Sequence, residues 1–560
     1  MRGRWKVFTA ACAVAMTMSS SSALAHDPDE YEKLNNPWGM NFWFMANYQT
    51  AQNPFNAGNT HVTSSDIAFW GDLAYVGDYG GFRIFDISRS TPKLVSDMRC
   101  YGPQGDPSVF DTDRDRKADT LVLSVDSVLT SSACGAGPAA KLPGTGKYPV
   151  GAWEGLRVFD IENPRRPRQI AAVYQDCGSH TNTLLPAPHG KKSMYVLNSS
   201  YPLGDGPTCG PPGVEHGRAV NHGVVQVIEV PFKDPSKARE LTELPVVYPG
   251  DADGVYKPVS EQGIAPGVLD NFLGCHDLSS FPDKGIVGAA CGEQAQVWKI
   301  DRRTGLPETD DPLWAYDQPN VDFWHSATFS WDGKVANFID ESFGDGCPPK
   351  TNKTGGLPGG VKTFETGNMF FFETKSGELL SEYRNPRPTN DDLGAGERLT
   401  YCSSHLGIPV PAKDRYLLVN AYYRGGSAVI DFSDPTRPKE IAFADKDGTN
   451  TWSAYTYPRR SGREWTIPVY SNDGLSRNYG TTAAPDYRET AYGFMRFQAL
   501  VGKSDLVGFN RLNPQLQETV IKTRLDDDDD RKWRSKPRKY AKATAAPKGE
   551  RIASARHWSK

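Results

Sequence analysis

Gly81-Phe-Arg-Ile-Phe-Asp-Ile-Ser88, followed by Pro92, and Gly155-Leu-Arg-Val-Phe-Asp-Ile161, followed by Pro164 and Pro167, are one unit written twice. Alternating apolar residues make a strand with one face buried, and the acid and proline that follow end it in a turn. A third clear copy is Ser427-Ala-Val-Ile-Asp-Phe-Ser433 with Pro435 and Pro438. Weaker ones stand at Val225–Val230, Gln296–Ile300, Met369–Glu373 and Phe494–Gln498, which brings the number to seven.

Around each copy lie three more strand-like runs. Two precede it, such as Ile67-Ala-Phe-Trp70 and Leu73-Ala-Tyr-Val76, and one follows, such as Lys93–Met98 or Arg168–Tyr174. Four short antiparallel strands repeated around a ring are the blades of a β-propeller, whose sheets bury their faces only against their neighbours. The expected fold is therefore all-β, a seven-bladed β-propeller over residues 58–506. Blades of about 60 to 75 residues exceed the roughly 40 to 45 of a compact propeller repeat, and the excess falls mainly between second and third strands. The seventh copy lacks an outer strand, whereas Met40–Ala46 stands unused in the segment 26–57. That strand is expected to complete the last blade and close the ring, which removes an exposed sheet edge.

The amino terminus reads as an export signal over residues 1–25: basic Arg2, Arg4 and Lys6, the apolar run Val7–Met18, then Ala-Leu-Ala ending at Ala25. The run is too short to span a bilayer, and no later stretch approaches the roughly eighteen apolar residues of a spanning helix. A secreted or cell-wall-associated protein without a transmembrane segment is expected. Glycine at 54, proline at 42 and aromatics at 11% suit many short strands and turns. The formal net charge is only −4, so no nucleic-acid partner is expected.

Arg83-Ile-Phe-Asp-Ile-Ser88, Asp434-Pro-Thr-Arg-Pro438, Cys177-Gly-Ser-His180, Gly274-Cys-His276 and Phe323-Trp-His-Ser-Ala327 make the chain resemble the LVIVD-repeat proteins of bacterial surfaces. The resemblance covers nearly all of residues 39–500. It implies a β-propeller outside the cytoplasm and implies no established reaction. Copies three, four, five and seven depart from the Asp-Ile-Ser-Asp-Pro pattern.

In a propeller, the loops from outer to next inner strand share one face with the loops from second to third strand. Every cysteine of the mature chain falls on that face. Cys100, Cys177, Cys275 and Cys402 stand where the chain begins an innermost strand, and Cys134, Cys209, Cys291 and Cys347 stand at or after the end of a second strand. Nearest-neighbour pairing gives Cys100 with Cys134, Cys177 with Cys209, Cys275 with Cys291, and Cys347 with Cys402. An even count in an oxidising compartment favours disulfides, and the absence of Cys-x-x-Cys spacing speaks against a thiolate metal cluster.

His180, His276, His325 and His405 all begin innermost strands, with His61 slightly upstream of that point in the first blade, Trp452 standing in for it in the seventh and Asp106 in the second. Two readings are open. The imidazoles either converge on the channel mouth with second-strand carboxylates (Asp78, Asp126, Glu293, Asp340, Glu341) and take a divalent transition metal, or each is a structural peg repeated because the blade is repeated. Asp340-Glu341-Ser-Phe-Gly-Asp345 offers hard oxygen ligands but lacks the spacing of a dedicated calcium loop.

No nucleophile elbow, phosphate loop or dinucleotide fingerprint is present. The leading expectation is a binding or scaffold module that meets a protein or cell-wall component through its disulfide-rich loop face. The alternative is a metal-dependent hydrolase or oxidase centred on the histidines. Residues 507–560 read as a charged, mostly disordered tail: Asp526–Asp530 are five aspartates, followed by basic residues from Arg531 and Lys532 to Arg551 and Arg556 suited to electrostatic surface contact.

Overall fold

The computed structural model describes residues 42–48, 63–135, 153–188, 190–200, 223–249, 274–292, 294–318, 321, 323–341, 367–387, 403–423, 425–445, 450–461, 464–474, 493–499 and 501–525. They form seven separate antiparallel sheets, each with a four-strand path in which neighbours are hydrogen-bonded. The first blade runs Ser64–Trp70, Leu73–Asp78, Gly81–Asp86, Lys93–Arg99 from the centre outwards. The innermost strands of the next six are Gln104–Phe110, Thr181–Pro186, Leu278–Phe281, Trp324–Phe329, Gly407–Val410 and Thr451–Thr456. Phe42–Tyr48 pairs antiparallel with Gly493–Ala499, so the amino-terminal strand closes the seventh blade, two residues downstream of the expected Met40–Ala46.

Burial grades outwards along each sheet. The innermost strands are buried throughout or nearly so, whereas the outer strands are half-buried, as in Lys93–Arg99, or largely exposed, as in Arg239–Pro245. The cores lie between blades. Phe82 and Ile84 of the first blade pack with Leu121 and Phe159 of the second, and Val419 of the sixth shares a core with Val469 of the seventh and Val76 of the first. Each sheet therefore depends on both neighbours, which makes closure of the ring a condition of stability.

The repeat has a backbone reason. Gly81 and Gly155 open the third strand with φ of +133° and +136°, and a Cβ there would meet the carbonyl oxygen of Met98 or Val173 at 2.1 or 2.2 Å. The acid that ends the motif caps the turn: Oδ1 of Asp86, Asp160 and Asp431 accepts from the backbone N–H two residues on, at 2.9, 3.0 and 3.0 Å. The motif is thus a folding device.

The chain does not leave the ring at Val507. Arg511–Leu512 adds an edge to the first blade beside Phe69 and Trp70, at the end of the channel remote from the histidines. Asn513 accepts from Val109 N–H at 2.7 Å and donates to its carbonyl at 2.8 Å. Gln515 and Gln517 hold Ser280 through backbone bonds of 2.8 and 2.9 Å. The Gln517 side chain holds both backbone groups of Phe329 at 3.1 Å, and Ile521 and Arg524 bond to Trp331 and Lys413 at 2.9 and 2.6 Å. This corrects the expected start of the tail: residues 507–525 form a strap across the ring. Amide side chains carry a donor and an acceptor side by side, so single residues close single strand ends without any periodic pattern. The aspartate run, the basic stretch and the export signal lie outside the described residues.

Candidate metal centre at the channel mouth

Because every innermost strand starts at the same end of the channel, the four repeated positions meet there. The rings of His180 and His276 lie 4.3 Å apart between centroids, those of His276 and His325 3.8 Å, and those of His325 and His405 4.4 Å. Trp452 continues the arc at 4.9 Å from His405. All four histidines are buried.

Each Nδ1 faces an oxygen. His180 Nδ1 is 2.7 Å from Asp126 Oδ2 and His276 Nδ1 is 3.0 Å from Asp277 Oδ1. His325 Nδ1 is 3.0 Å from the carbonyl of His405, and His405 Nδ1 is 2.5 Å from the carbonyl of Trp452. A carbonyl only accepts, so Nδ1 of His325 and of His405 carries the proton and Nε2 is left as a lone pair. This outer-shell pattern is the one that fixes the tautomer of metal-ligating histidines. Burial, reinforced by the neighbouring imidazoles, pushes His276 and His325 well below the ordinary histidine range, and burial brings His405 down to about 3. The rings of His276, His325 and His405 are therefore neutral at physiological pH.

The carboxylates divide. Glu341 Oε2 lies 3.5 Å from His325 Nε2, and its Oε1 accepts from the Tyr423 hydroxyl at 2.6 Å. Asp277, beside His276 in sequence, has Oδ2 3.9 Å from His325 Nδ1. Asp340 goes elsewhere: its oxygens accept from the backbone of Phe323 at 3.0 Å and Gly367 at 2.7 Å, so it fastens loops. Asp78 likewise caps Gly80 at 2.8 Å and pairs with Arg99 at 3.2 Å. His61 and Glu293 lie outside the described residues. At the mouth, two sets of three donors have ligand atoms within 4.8 Å of one another: His276 with Asp277 and His325, and His325 with Glu341 and His405; a third set among the described residues, Asp111, Asp113 and Asp115, lies outside the histidine cluster. Sequence reasoning missed Asp277 and Tyr423; adjacency to His276 was the signal for the first, and nothing local marked the second.

Deeper in the channel, Tyr455 donates to Asp66 at 3.0 Å, and Asp106 accepts from the backbone N–H of Asn182 at 2.8 Å. Burial pushes Asp66 up to about 7 and Asp106 well above the carboxylate range. Between this level and the strap remains a cavity of about 20 Å³, lined by Ser279, Ser326, Tyr455, Asn513 and Gln515 among others. That is room for about one water.

Cys100–Cys134 and Cys275–Cys291 are disulfides on the histidine side, as nearest-neighbour pairing assigned them. Cys177 is also disulfide-bonded, and Cys209, Cys347 and Cys402 lie outside the described residues. No helix among the described residues is long and apolar enough to cross a membrane.

Residues 63–98 match the LVIVD repeat. No curated protein matches the chain in sequence. Among solved structures, it is similar to a Bacteroides uniformis protein provisionally named a 6-phosphogluconolactonase, at 12% identity and a TM-score of 0.40, covering 77% of this chain and 99% of that one. It is also similar to Raptor of Chaetomium thermophilum, at 9% identity and a TM-score of 0.41, covering 83% of this chain and 29% of that one. Likeness at this level carries nothing about function.

Proposed function

We propose that this chain, a seven-bladed β-propeller whose residues 63–98 match the LVIVD repeat, is an extracytoplasmic binding module holding a divalent transition metal at its channel mouth. One observation carries the reading: His325 Nε2 is buried without a hydrogen-bond partner, 3.5 Å from Glu341 Oε2, while its Nδ1 is tied to a backbone carbonyl. A buried polar atom left unpaired in so ordered a network asks for an explanation, and a cation supplies one. Two imidazoles and a carboxylate suit zinc, iron, manganese or copper.

The disulfide-tied loops share this face, which supports it as the surface that meets a protein or cell-wall partner. A three-residue ligand set leaves coordination positions open, so a metal-dependent hydrolase or oxidase stands as the second reading. The small cavity beneath the histidines means that a substrate would have to approach from the loop face.

Elemental analysis of exported, full-length protein purified without chelator tests the proposal. Stoichiometric metal, lost in His325→Ala and in Glu341→Gln while the circular dichroism is kept, is expected. Protein without stoichiometric metal overturns it. Turnover of an ester, lactone or redox substrate that vanishes with His276→Ala and His325→Ala would move the assignment to the enzyme.

A further inference from the structure

We infer that the strap sets the spacing of the mouth histidines, so that its seating and the metal affinity of the mouth are linked along the channel. The inference rests on the metal-binding reading above and deepens it by naming what controls that site. Three of the four inner strands that bring histidines to the mouth are held further down by Gln515 and Gln517. Ser280, the fourth residue after His276, donates its N–H to the Gln515 carbonyl at 2.8 Å and accepts from the Gln517 N–H at 2.9 Å. Phe329, the fourth residue after His325, has both backbone groups held by the Gln517 side chain at 3.1 Å. Thr183, the third residue after His180, donates to Gln515 Oε1 at 3.2 Å. Gln515 adopts φ of +58°, a left-handed turn in which one residue meets two blades, Ser280 through its carbonyl and Thr183 through its side chain.

Four extended residues span about 13 Å, and a strand fixed in a sheet neither lengthens nor shortens, so a shift at the strap arrives at the imidazoles. At the mouth the same strands are tied to one another. Asp277 N–H donates to the His325 carbonyl at 3.0 Å, and Thr181 Oγ1 donates to the His276 carbonyl at 2.7 Å. The His405 carbonyl accepts from His325 Nδ1 and Ser326 Oγ at 3.0 and 2.9 Å. Between the two levels there is little slack: the cavity of about 20 Å³ is bordered by Ser279 and Ser326 from the strands and by Gln515 and Gln517 from the strap. A close-packed column of this kind transmits displacement.

Asn513 supplies the contrast. It holds both backbone groups of Val109 as Gln517 holds those of Phe329, but the strand Gln104–Phe110 carries no histidine. Loss of either amide costs stability, and only loss of Gln517 should reach the metal. The linkage is reciprocal: a seated strap favours the bound ion, and the bound ion favours a seated strap by the same factor.

The Zn²⁺ affinity of full-length protein is read by competition with a chromophoric chelator. It is expected to fall by about 5- to 150-fold in Gln517→Ala and to stay close to wild type in Asn513→Ala. In the wild type, saturating Zn²⁺ should slow hydrogen exchange of the strap amides of Gln517 and Ile521 by a comparable factor. Unchanged affinity in both variants, equal losses in both, or strap exchange indifferent to Zn²⁺ overturns the linkage and leaves the proposed function standing. Protein that binds no Zn²⁺ overturns the proposed function instead, and the imidazole ¹⁵N resonances of metal-free protein then decide the strap's hold on the histidines. It stands if the resonances of His276 and His325 move in Gln517→Ala and not in Asn513→Ala, and it falls if they stay. If Gln517→Ala does not fold, exchange in the wild type with and without Zn²⁺ decides alone.

Discussion

The hydroxyl of Tyr423 donates to Glu341 Oε1 at 2.6 Å, which turns the other carboxylate oxygen towards His325. Tyr423 comes from the sixth blade and Glu341 from the end of the fifth blade's second strand, so the contact aligns a ligand across a blade boundary. Outer-shell partners of this kind are worth about 10- to 100-fold in metal affinity. Tyr423→Phe is expected to weaken Zn²⁺ binding by about that factor, with the ring still packed against His405 and the thermal midpoint little changed. Competition with a chelator reads the affinity, and an unchanged constant would remove Tyr423 from the site.

The strap offers a second test. Asn513 and Gln517 each satisfy both backbone groups of one buried inner-strand residue, Val109 and Phe329. Truncation to alanine strands a buried donor and acceptor each time, at a cost of about 1–3 kcal/mol per unpaired group. Urea unfolding of Asn513→Ala and Gln517→Ala should show a lower midpoint at unchanged slope. Midpoints equal to wild type would mean that the strap does not bind the ring in solution.

That strap marks where sequence reading stops. The blades were legible because the Gly-to-Asp motif has local causes: Gly81 and Gly155 must come close to the fourth strand, and Asp86 and Asp160 must cap a turn. The meeting of His180, His276, His325 and His405 was legible too, because a shared place in the repeat becomes a shared place in space. Which carboxylates join them was not. Asp340 and Glu341 are neighbours in sequence, yet one fastens backbone and the other faces His325, because alternation along the chain sends them to different surroundings. Asn513, Gln515 and Gln517 read as polar tail because amide-to-backbone bonds leave no apolar period.

The two disulfides should separate stability from metal affinity. Cys100–Cys134 and Cys275–Cys291 close separations of 34 and 16 residues. Chain entropy assigns about 3 kcal/mol to a loop of the shorter size and somewhat more to the longer. Cys275→Ala with Cys291→Ala, and Cys100→Ala with Cys134→Ala, are each expected to lower the thermal midpoint. Only the first pair should also weaken metal binding, since Cys275 adjoins His276. Equal loss of affinity in both double variants would show that the effect is global.

Stability should respond to pH through the paired carboxyls of the channel. Asp66 is raised by burial from 3.8 to about 7, so the folded protein keeps a proton that the unfolded chain gives up. Its contribution is fully present below about pH 3.8 and is lost as pH rises through about 7. His405 acts oppositely: held neutral down to about pH 3, it costs stability as pH falls below 6.5, where the unfolded chain takes a proton and the folded one does not. In metal-free protein, Asp66→Asn removes the first effect alone, because asparagine still accepts from Tyr455 and does not ionise. The variant should gain on the order of 1–3 kcal/mol relative to wild type at pH 8, little at pH 4, and keep the loss on the acid side. Urea midpoints across this range decide the matter, and a gain that does not grow with pH would show that Asp66 is ionised in the folded ring.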